Sequence, residues 1–218
     1  MKVISLPLLA LTGFLSVFAF LISIALGLDV ARLTTKALPV LALAGWVWQC
    51  GDRRVAYGLI AGAIGDIFLS LPDTFLLGMV AFALGHGCYV WAFWKWEARF
   101  SGLLAIPVVA YLAWCLSMML SGTGPLTIPV IGYVTVIGAM IWRAAAVAEN
   151  SELASFARWS PLAGALLFGF SDSLIGISKF FTPLHGADYV IILTYWAGQA
   201  MIAAAAVSQL NHLRERQE

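Results

Sequence analysis

Two aspartates lie inside apolar runs long enough to cross a bilayer. Asp66 falls in residues 62–70 and Asp172 in residues 164–173. A carboxyl group can donate or accept a proton, but inserting an Asp at the centre of a membrane helix costs about 2.5 to 3.5 kcal/mol, so it normally faces a polar cavity or partner. Their two helices are predicted to cross the membrane in the same direction. We therefore expect both carboxyl groups to belong to one functional site.

Other polar residues are predicted at a similar depth. With about 1.5 Å of rise per residue, they and the aspartates all lie within about 16 Å of the outer ends of their helices. They come from six different spans, so their agreement does not follow from closeness in sequence. The pattern predicts a pocket open to the outer leaflet, polar inside and apolar around it. The additional residues are Lys36, His86, Tyr133, Lys179, Tyr195 and Gln199.

Helical spacing adds detail to this pocket. His86 and Tyr89 are three residues apart, and Tyr195 and Gln199 are four apart, so each pair shares a helix face. Lys179 follows Asp172 by seven residues, which places both on one stripe of their helix. Lys36 and Lys179 at the mouth are suited to bind a phosphate as point charges.

Each of these residues also has a plainer interpretation. The aspartates can form a structural ion pair with Lys36 or Lys179, and those lysines can instead extend to the membrane interface. An intramembrane His such as His86 is more often a packing residue than a catalyst. Tyr133 and Tyr195 can serve only as hydrogen-bond donors between helices. These alternatives stay open at the level of the sequence.

The composition predicts the elements that must position these residues. The chain has 218 residues, of which 62% are hydrophobic and 11% charged. Bilayer-spanning apolar stretches alternate with short polar connections, which predicts an all-α polytopic membrane protein with a single domain, residues 1–218. The eight predicted spans are 5–27, 33–50, 54–71, 75–95, 102–121, 126–147, 159–180 and 188–209.

The two halves of the chain show weak sequence similarity. Residues 37–41 resemble residues 127–131, and the two aspartates fall in the third and seventh spans. A parallel repeat of four plus four helices would explain both similarities.

The basic residues predict the orientation. Of the 12 Lys and Arg residues, all but Arg32, Lys36 and Lys179 lie at the N-terminus, at the C-terminus or at every second connection. Because short Lys- and Arg-rich loops stay in the cytoplasm, both termini are predicted to be cytoplasmic. Arg143 is interpreted as a boundary residue on that side. The predicted location is the inner membrane of a bacterium.

Several classes of protein are excluded. A net charge of +1 and the absence of a basic stripe argue against nucleic acid binding. Cys50, Cys88 and Cys115 are odd in number and lack metal-type spacing, so neither a disulfide framework nor a zinc site is predicted. We expect no metal and no cofactor. The sequence does not indicate an oligomeric state.

The ordered set of motifs resembles the lysoplasmalogenase-like YhhN family of eight-helix membrane proteins. The match extends from residue 36 to residue 199, and the first span carries no motif. Gly169 and Gly198 are smaller than the family pattern leads us to expect. The matching residues are Lys36 with Pro39, Gly65 with Asp66, Gly85 and His86 with Tyr89, Tyr133 with Arg143, Gly164 to Ser173 around Asp172, and Tyr195 with Gln199.

This resemblance implies hydrolysis of the vinyl ether bond of a lysoplasmalogen, with a lysophospholipid substrate drawn from the membrane lipid. That reaction requires one protonated and one ionised carboxyl group. Burial favours the protonated form of a carboxyl group, whereas a nearby cation favours the ionised form. From the sequence neighbours, Asp66 is the candidate acid and Asp172, with Lys179 on its face, the candidate base; the reverse assignment stays open.

Two other classes of membrane protein also carry intramembrane aspartates. A proton-coupled carrier also uses intramembrane Asp, Lys and His, and Pro39 and Pro129 keep that alternative open. An intramembrane aspartyl protease is disfavoured because Ala63 occupies the position where its Gly-x-Gly-Asp signature requires glycine.

Overall fold

The computed structural model describes residues 5–100, 103 and 106–215. Throughout these residues the regular structure is entirely helical. It comprises α1 (Leu6–Leu26), α2 (Asp29–Lys36), α3 (Leu38–Cys50), α4 (Arg53–Leu69), α5 (Phe75–Trp96), α6 (Ile106–Thr123), a short 3-10 helix (Gly124–Leu126), α7 (Thr127–Glu149), α8 (Ser155–Phe180) and α9 (Asp188–Glu215).

The chain divides into two compact units. The first consists of Met1–Cys88 with Ala206–Glu218, and the second of Tyr89–Ala205. In the first unit, α3 packs against α1 and α4, and α2 contacts α1, α3 and α4. In the second unit, α6, α7 and α8 pack against one another. The prediction of a membrane protein is supported by five segments, among the described residues, that are long and apolar enough to cross a bilayer.

The predicted span 33–50 differs from the structure because it is interrupted. Helix α2 ends at Lys36 and α3 begins at Leu38, with Pro39 in its first turn. A proline lacks the N–H that would continue a helix and disfavours α conformation in the residue before it. Lys36 therefore lies at the C-terminus of a short helix, where a cation interacts favourably with the helix dipole.

Glycines allow a close helix approach in each unit. In the first unit, a Cβ added to Gly85 would lie 2.9 Å from the carbonyl oxygen of Gly58. In the second unit, a Cβ added to Gly164 would lie 2.8 Å from the carbonyl oxygen of Gly198. Small residues let membrane helices approach until their backbones touch, so α4 contacts α5 and α8 contacts α9 at these points.

Arg143 is not a boundary residue, because its side chain is fully buried on α7. Its Nη1 donates a hydrogen bond to the carbonyl of Arg99 at 3.1 Å, and its Nη2 donates to the carbonyl of Glu97. The guanidinium lies 4.4 Å from the ring centroid of Trp94 and 5.0 Å from that of Trp142. Arg143 thus caps the C-terminal end of α5 and fixes it to α7.

Candidate active site

The first unit contains an ion pair at Asp66. The Nζ atom of Lys36 lies 3.5 Å from Oδ1 of Asp66, and the two side chains are 21% and 2% exposed. Lys36 comes from the end of α2 and Asp66 from the last turn of α4, so the break between α2 and α3 places the ammonium group beside the carboxylate. Of the two lysines that the sequence left open as partners of the aspartates, Lys36 is the one that contacts Asp66.

The backbone around Asp66 is tightly packed. A Cβ added to Gly65 would lie 2.6 Å from the ring of Phe82. Glycine at position 65 therefore allows an aromatic ring of α5 to pack directly beside the turn that carries Asp66. Ser70 donates a hydrogen bond from Oγ to the carbonyl of Asp66 at 2.8 Å, which closes the end of α4. Both contacts restrict the position of the carboxylate.

The second unit holds Asp172 in a different way. The hydroxyl of Tyr133 on α7 donates a hydrogen bond to Oδ2 of Asp172 on α8 at 2.5 Å. This is a short hydrogen bond for two oxygen atoms. Both side chains are half-buried. A hydroxyl donor therefore orients Asp172 while leaving part of it accessible.

Lys179 lies in the last turn of α8 and is exposed. Helix α8 is continuous from Asp172 to Lys179, so the seven-residue spacing does place the two residues on one stripe.

A buried pair of polar residues connects α5 to α9 within the second unit. The Tyr89 hydroxyl donates to Oε1 of Gln199 at 2.5 Å, and the two side chains are 1% and 0% exposed. Among the described residues, no acceptor lies within hydrogen-bond distance of the buried Nε2 of Gln199. A buried amide N–H without an acceptor is costly, which marks Gln199 as a donor available to a ligand or to water.

Tyr195 and His86 are both buried in the helix bundle. The ring of Tyr195 packs edge-on against Phe168 with a centroid distance of 5.2 Å. His86 on α5 is fully buried within the first unit. The structure thus brings together Lys36 with Asp66, Tyr133 with Asp172 and Tyr89 with Gln199.

The chemistry available to these groups is proton transfer and anion binding. Two carboxyl groups are held by unlike partners, an ammonium group for Asp66 and a phenol hydroxyl for Asp172. Unlike surroundings allow two carboxyl groups to divide acid and base roles. Across the described part of the chain, no three His, Cys, Asp or Glu side chains are grouped to hold a metal ion.

The sequence left Lys36 and Lys179 open as partners of the aspartates, but it did not predict the contact of Tyr133 with Asp172 or that of Tyr89 with Gln199. These contacts join different helices, and spacing along one helix gives no information about them. The burial of Arg143 was missed for the same reason, although the surrounding tryptophans, known stacking partners of arginine, were visible in the sequence.

The sequence is similar to known proteins over most of its length. The profile of the YhhN family matches residues 31–206. Human lysoplasmalogenase TMEM86B is 37% identical over 178 residues, which cover 79% of this chain and 74% of the human protein. Bovine lysoplasmalogenase TMEM86A is 38% identical over 161 residues, or 71% of this chain and 65% of the relative. The lysoplasmalogenase of Mycobacterium bovis is 29% identical over 164 residues, or 70% and 59%.

No solved structure matches this chain. The family profile covers more than half of the sequence, and it includes every candidate residue from Lys36 to Gln199. The chain belongs to the YhhN family.

Proposed function

We propose that this integral membrane protein is a lysoplasmalogenase, an enzyme that hydrolyses the vinyl ether bond of an alkenyl lysophospholipid. The products are a fatty aldehyde and a glycerophospho-base. The observation that supports this most directly is the pair of intramembrane carboxyl groups, held by unlike partners, in a chain whose relatives carry the lysoplasmalogenase name.

The reaction begins with protonation of the β-carbon of the vinyl ether. This leaves an oxocarbenium ion at the carbon that bears oxygen. Water adds to that carbon and loses a proton to a base, which gives a hemiacetal. The hemiacetal collapses to the aldehyde and releases the glycerol hydroxyl group. One carboxylic acid and one carboxylate, Asp172 and Asp66, supply the two proton transfers.

The contacts favour Asp66 as the carboxylate. An ammonium group in contact stabilises the ionised form of a carboxyl group, and Lys36 lies 3.5 Å from Asp66. Asp66 would then accept the proton of the attacking water and stabilise the cation. Asp172 accepts the Tyr133 hydrogen bond on Oδ2, and we assign to it the proton that is delivered to the substrate. This is the reverse of the assignment favoured by the sequence neighbours.

The remaining candidate residues bind the substrate. Lys179 is exposed at the end of α8 and supplies a point charge for the phosphate. The Nε2 of Gln199, with Tyr89 holding its Oε1, supplies a donor for a substrate oxygen or for the attacking water. We also keep Tyr195 and His86 as candidate substrate-binding residues.

The topology that goes with this function has eight spans and both termini in the cytoplasm of a bacterial inner membrane. The described helices overlap the eight predicted spans, and five segments among the described residues are long and apolar enough to cross a bilayer. Pro39 and Pro129 both lie in the first turn of their helices, which supports a repeat of four plus four. Cysteine labelling from each side of the membrane tests the orientation, and an externally labelled C-terminus would overturn it.

A proton-coupled carrier is the second candidate function. The interruption between α2 and α3 lies directly beside Lys36, which contacts Asp66. Interrupted helices next to intramembrane charges form substrate and ion sites in many transporters. This observation favours the carrier, whereas the relatives named lysoplasmalogenase favour the hydrolase.

The test is aldehyde release by the purified protein in detergent. A 1-alkenyl lysophospholipid should be cleaved much faster than the corresponding two-chain plasmalogen, and the saturated 1-alkyl lysophospholipid should not be cleaved. Lys179→Ala should raise KM more than it lowers kcat, as loss of ground-state binding does. No aldehyde from any alkenyl lipid, together with dissipation of a pH gradient in proteoliposomes when solute is added, would replace the hydrolase with the carrier.

A further inference from the structure

An apolar groove lies among α6, α7 and α8 in the second unit. Its volume is about 240 Å³, and its walls include Val108, Tyr111, Ile141, Leu166 and Gly169. None of the described residues that line it carries a charge. Leu166 and Tyr111 are 42% and 37% exposed, so the groove opens on the side of the helices that faces lipid.

Gly169 creates part of this space. A Cβ added there would lie 3.1 Å from Cδ1 of Ile141 and 3.5 Å from Cγ2 of Ile137. Any larger side chain would therefore fill the groove against α7. On the other side, α6 packs against both α7 and α8, so the three walls of the groove are in contact. The groove is a built feature of the α6, α7 and α8 packing.

The groove continues the Tyr133–Asp172 site. Gly169 precedes Asp172 by three residues on α8, which is about 4.5 Å along the helix axis and the same face. On α7, Ile137 and Ile141 follow Tyr133 by four and eight residues, again on one face. The seam between these two helices therefore runs from the hydrogen-bonded carboxyl group directly into the groove.

The order of groups along α8 matches the order of groups in a lysophospholipid. Lys179 lies at the end of the helix, Asp172 about 10 Å further in, and Gly169 and Leu166 one and two turns beyond. A lipid aligned with α8 would present its phosphate, its ether bond and its hydrocarbon chain to these positions in turn.

We propose that this groove binds the first part of the hydrocarbon chain of the alkenyl lysolipid and thereby places the vinyl ether carbons beside Asp172. The proposal rests on the proposed function. A cavity of about 150 Å³ lined by Leu, Ile and Phe holds benzene, and drug-sized ligands occupy about 300 to 1,000 Å³. The groove therefore accommodates a chain segment, and an uncharged lining rejects a phosphorylated head group.

The experiment maps the bound chain by photo-cross-linking. The probe is a 1-O-alkyl lysophospholipid, which lacks the vinyl ether, with a diazirine within its chain. Irradiation with the full-length protein in detergent should label peptides of α6 and α8 that contain Val108, Tyr111, Leu166 or Gly169. Unlabelled 1-O-alkyl lysophospholipid in excess should compete with this labelling, whereas diffuse contact with detergent-exposed surfaces should not be competed.

Val108→Trp fills the groove, and Val109→Trp is its matched control. Val109 is the next residue on α6, is 56% exposed and does not line the groove. Val108→Trp should weaken probe binding about tenfold, which corresponds to about 1.4 kcal/mol, while Val109→Trp should leave it unchanged. Gly169→Ala, a smaller change that Ile141 can absorb by a slight shift, should raise KM for long-chain substrates more than it lowers kcat.

The outcomes separate this proposal from the proposed function. The groove proposal would be overturned if the labelling that the unlabelled lipid competes away were confined to other helices. It would also be overturned if the probe labelled Val108→Trp and Val109→Trp equally, even when aldehyde is released. If the groove is labelled competitively but no aldehyde is released, the groove stands as a lipid-binding site and the proposed enzymatic activity is wrong. Because the map is made on the unsubstituted protein, a variant that fails to fold does not affect it.

Discussion

The two units of this protein hold their intramembrane carboxyl groups by different means. In the first unit, Asp66 is 2% exposed and forms an ion pair with Lys36. In the second unit, Asp172 is half-buried and accepts a short hydrogen bond from the neutral hydroxyl of Tyr133. Each unit thus presents one aspartate, but only one of these two contacts brings a full positive charge.

This difference bears on mechanism. A buried ion pair compensates the desolvation of a carboxylate only when geometry and further hydrogen bonds are favourable. A hydroxyl donor compensates less charge but permits the carboxyl group to carry a proton. The same residue type therefore becomes suited to two roles through its partners.

The largest effect is expected from removing either carboxyl group. Asp66→Asn and Asp172→Asn should each lower kcat for aldehyde release by at least ~10²-fold, which is typical for loss of an acid or base. Both variants should remain folded and membrane-inserted. Asp73→Asn is the control, because this turn residue has φ 58, a conformation that Asn also tolerates. Full activity in either membrane variant would remove that aspartate from the mechanism.

The partners of the aspartates should matter less than the aspartates themselves. Tyr133→Phe removes one hydrogen bond to a carboxyl group, and a bond of this kind contributes about 1.5 to 3 kcal/mol, so a loss of activity of roughly 10- to 100-fold is expected. Lys36→Gln should be similarly harmful, while Lys36→Arg should retain more activity because it keeps the charge. Steady-state kinetics measure both. If Lys36→Gln and Lys36→Arg behave alike, charge is not what Asp66 requires from its partner.

The close helix contacts at Gly85 and Gly164 are expected to affect the stability of the protein rather than its catalysis. Gly85→Ala in the first unit and Gly164→Ala in the second would each force a methyl group against a backbone carbonyl. Overpacking of this kind typically costs about 1 to 3 kcal/mol. Gly87→Ala and Gly132→Ala are matched controls, because nothing lies within 4 Å of a Cβ at either position.

Thermal unfolding of the purified variants measures this difference. Gly85→Ala and Gly164→Ala should each have a lower Tm than the unsubstituted protein, and the two control variants should not. If either of these two variants has an unchanged Tm, the helices of that unit can separate slightly without losing stability.

The smallest effect is expected at the ion pair just beyond the C-terminal end of α5. Arg99 donates hydrogen bonds from Nε and Nη2 to the Glu97 carboxylate at 3.1 and 3.0 Å, and these lower the pKa of Glu97 below its ordinary value. A lowered folded-state pKa stabilises the protein above the unfolded-state pKa, and this contribution is lost as the pH falls through the folded-state pKa.

Glu97→Gln should therefore lower the Tm slightly at neutral pH, and the difference from the unsubstituted protein should vanish in acid. Unfolding curves from pH 7 to pH 3 test this, and Glu149→Gln, a change at an exposed residue at the end of α7, is the control. A difference that persists in acid would assign the effect to the hydrogen bond from Asn150 rather than to the charge.

Much of the fold follows from the sequence because apolar length and turn residues are local properties. The positions of α4, α5, α8 and α9 agree with the predicted spans to within a few residues at most of their ends. The break at Ala37 was not predicted, since the apolar run continues through it and only Pro39 signals the interruption. Periodicity also predicted the shared stripe of Asp172 and Lys179.

The site was only partly predictable for a different reason. The sequence singles out Asp66 and Asp172 because a carboxyl group in an apolar run is costly wherever it lies. Which partner compensates that cost depends on packing between different helices, and this is why the sequence left both Lys36 and Lys179 open as partners of the aspartates. The groove at Gly169 likewise depends on Ile141 of another helix.

The burial of Arg143 bears on how the protein is made. Arginine cannot lose its charge inside a membrane, so its acceptors must be present when it enters. Those acceptors, the carbonyls of Glu97 and Arg99, precede Arg143 by 44 residues or more and are synthesised first. Because the acceptors are synthesised first, α7 can insert next to the completed C-terminal end of α5. If the arginine preceded its acceptors in the sequence, its charge would have no hydrogen-bond acceptor until they were synthesised.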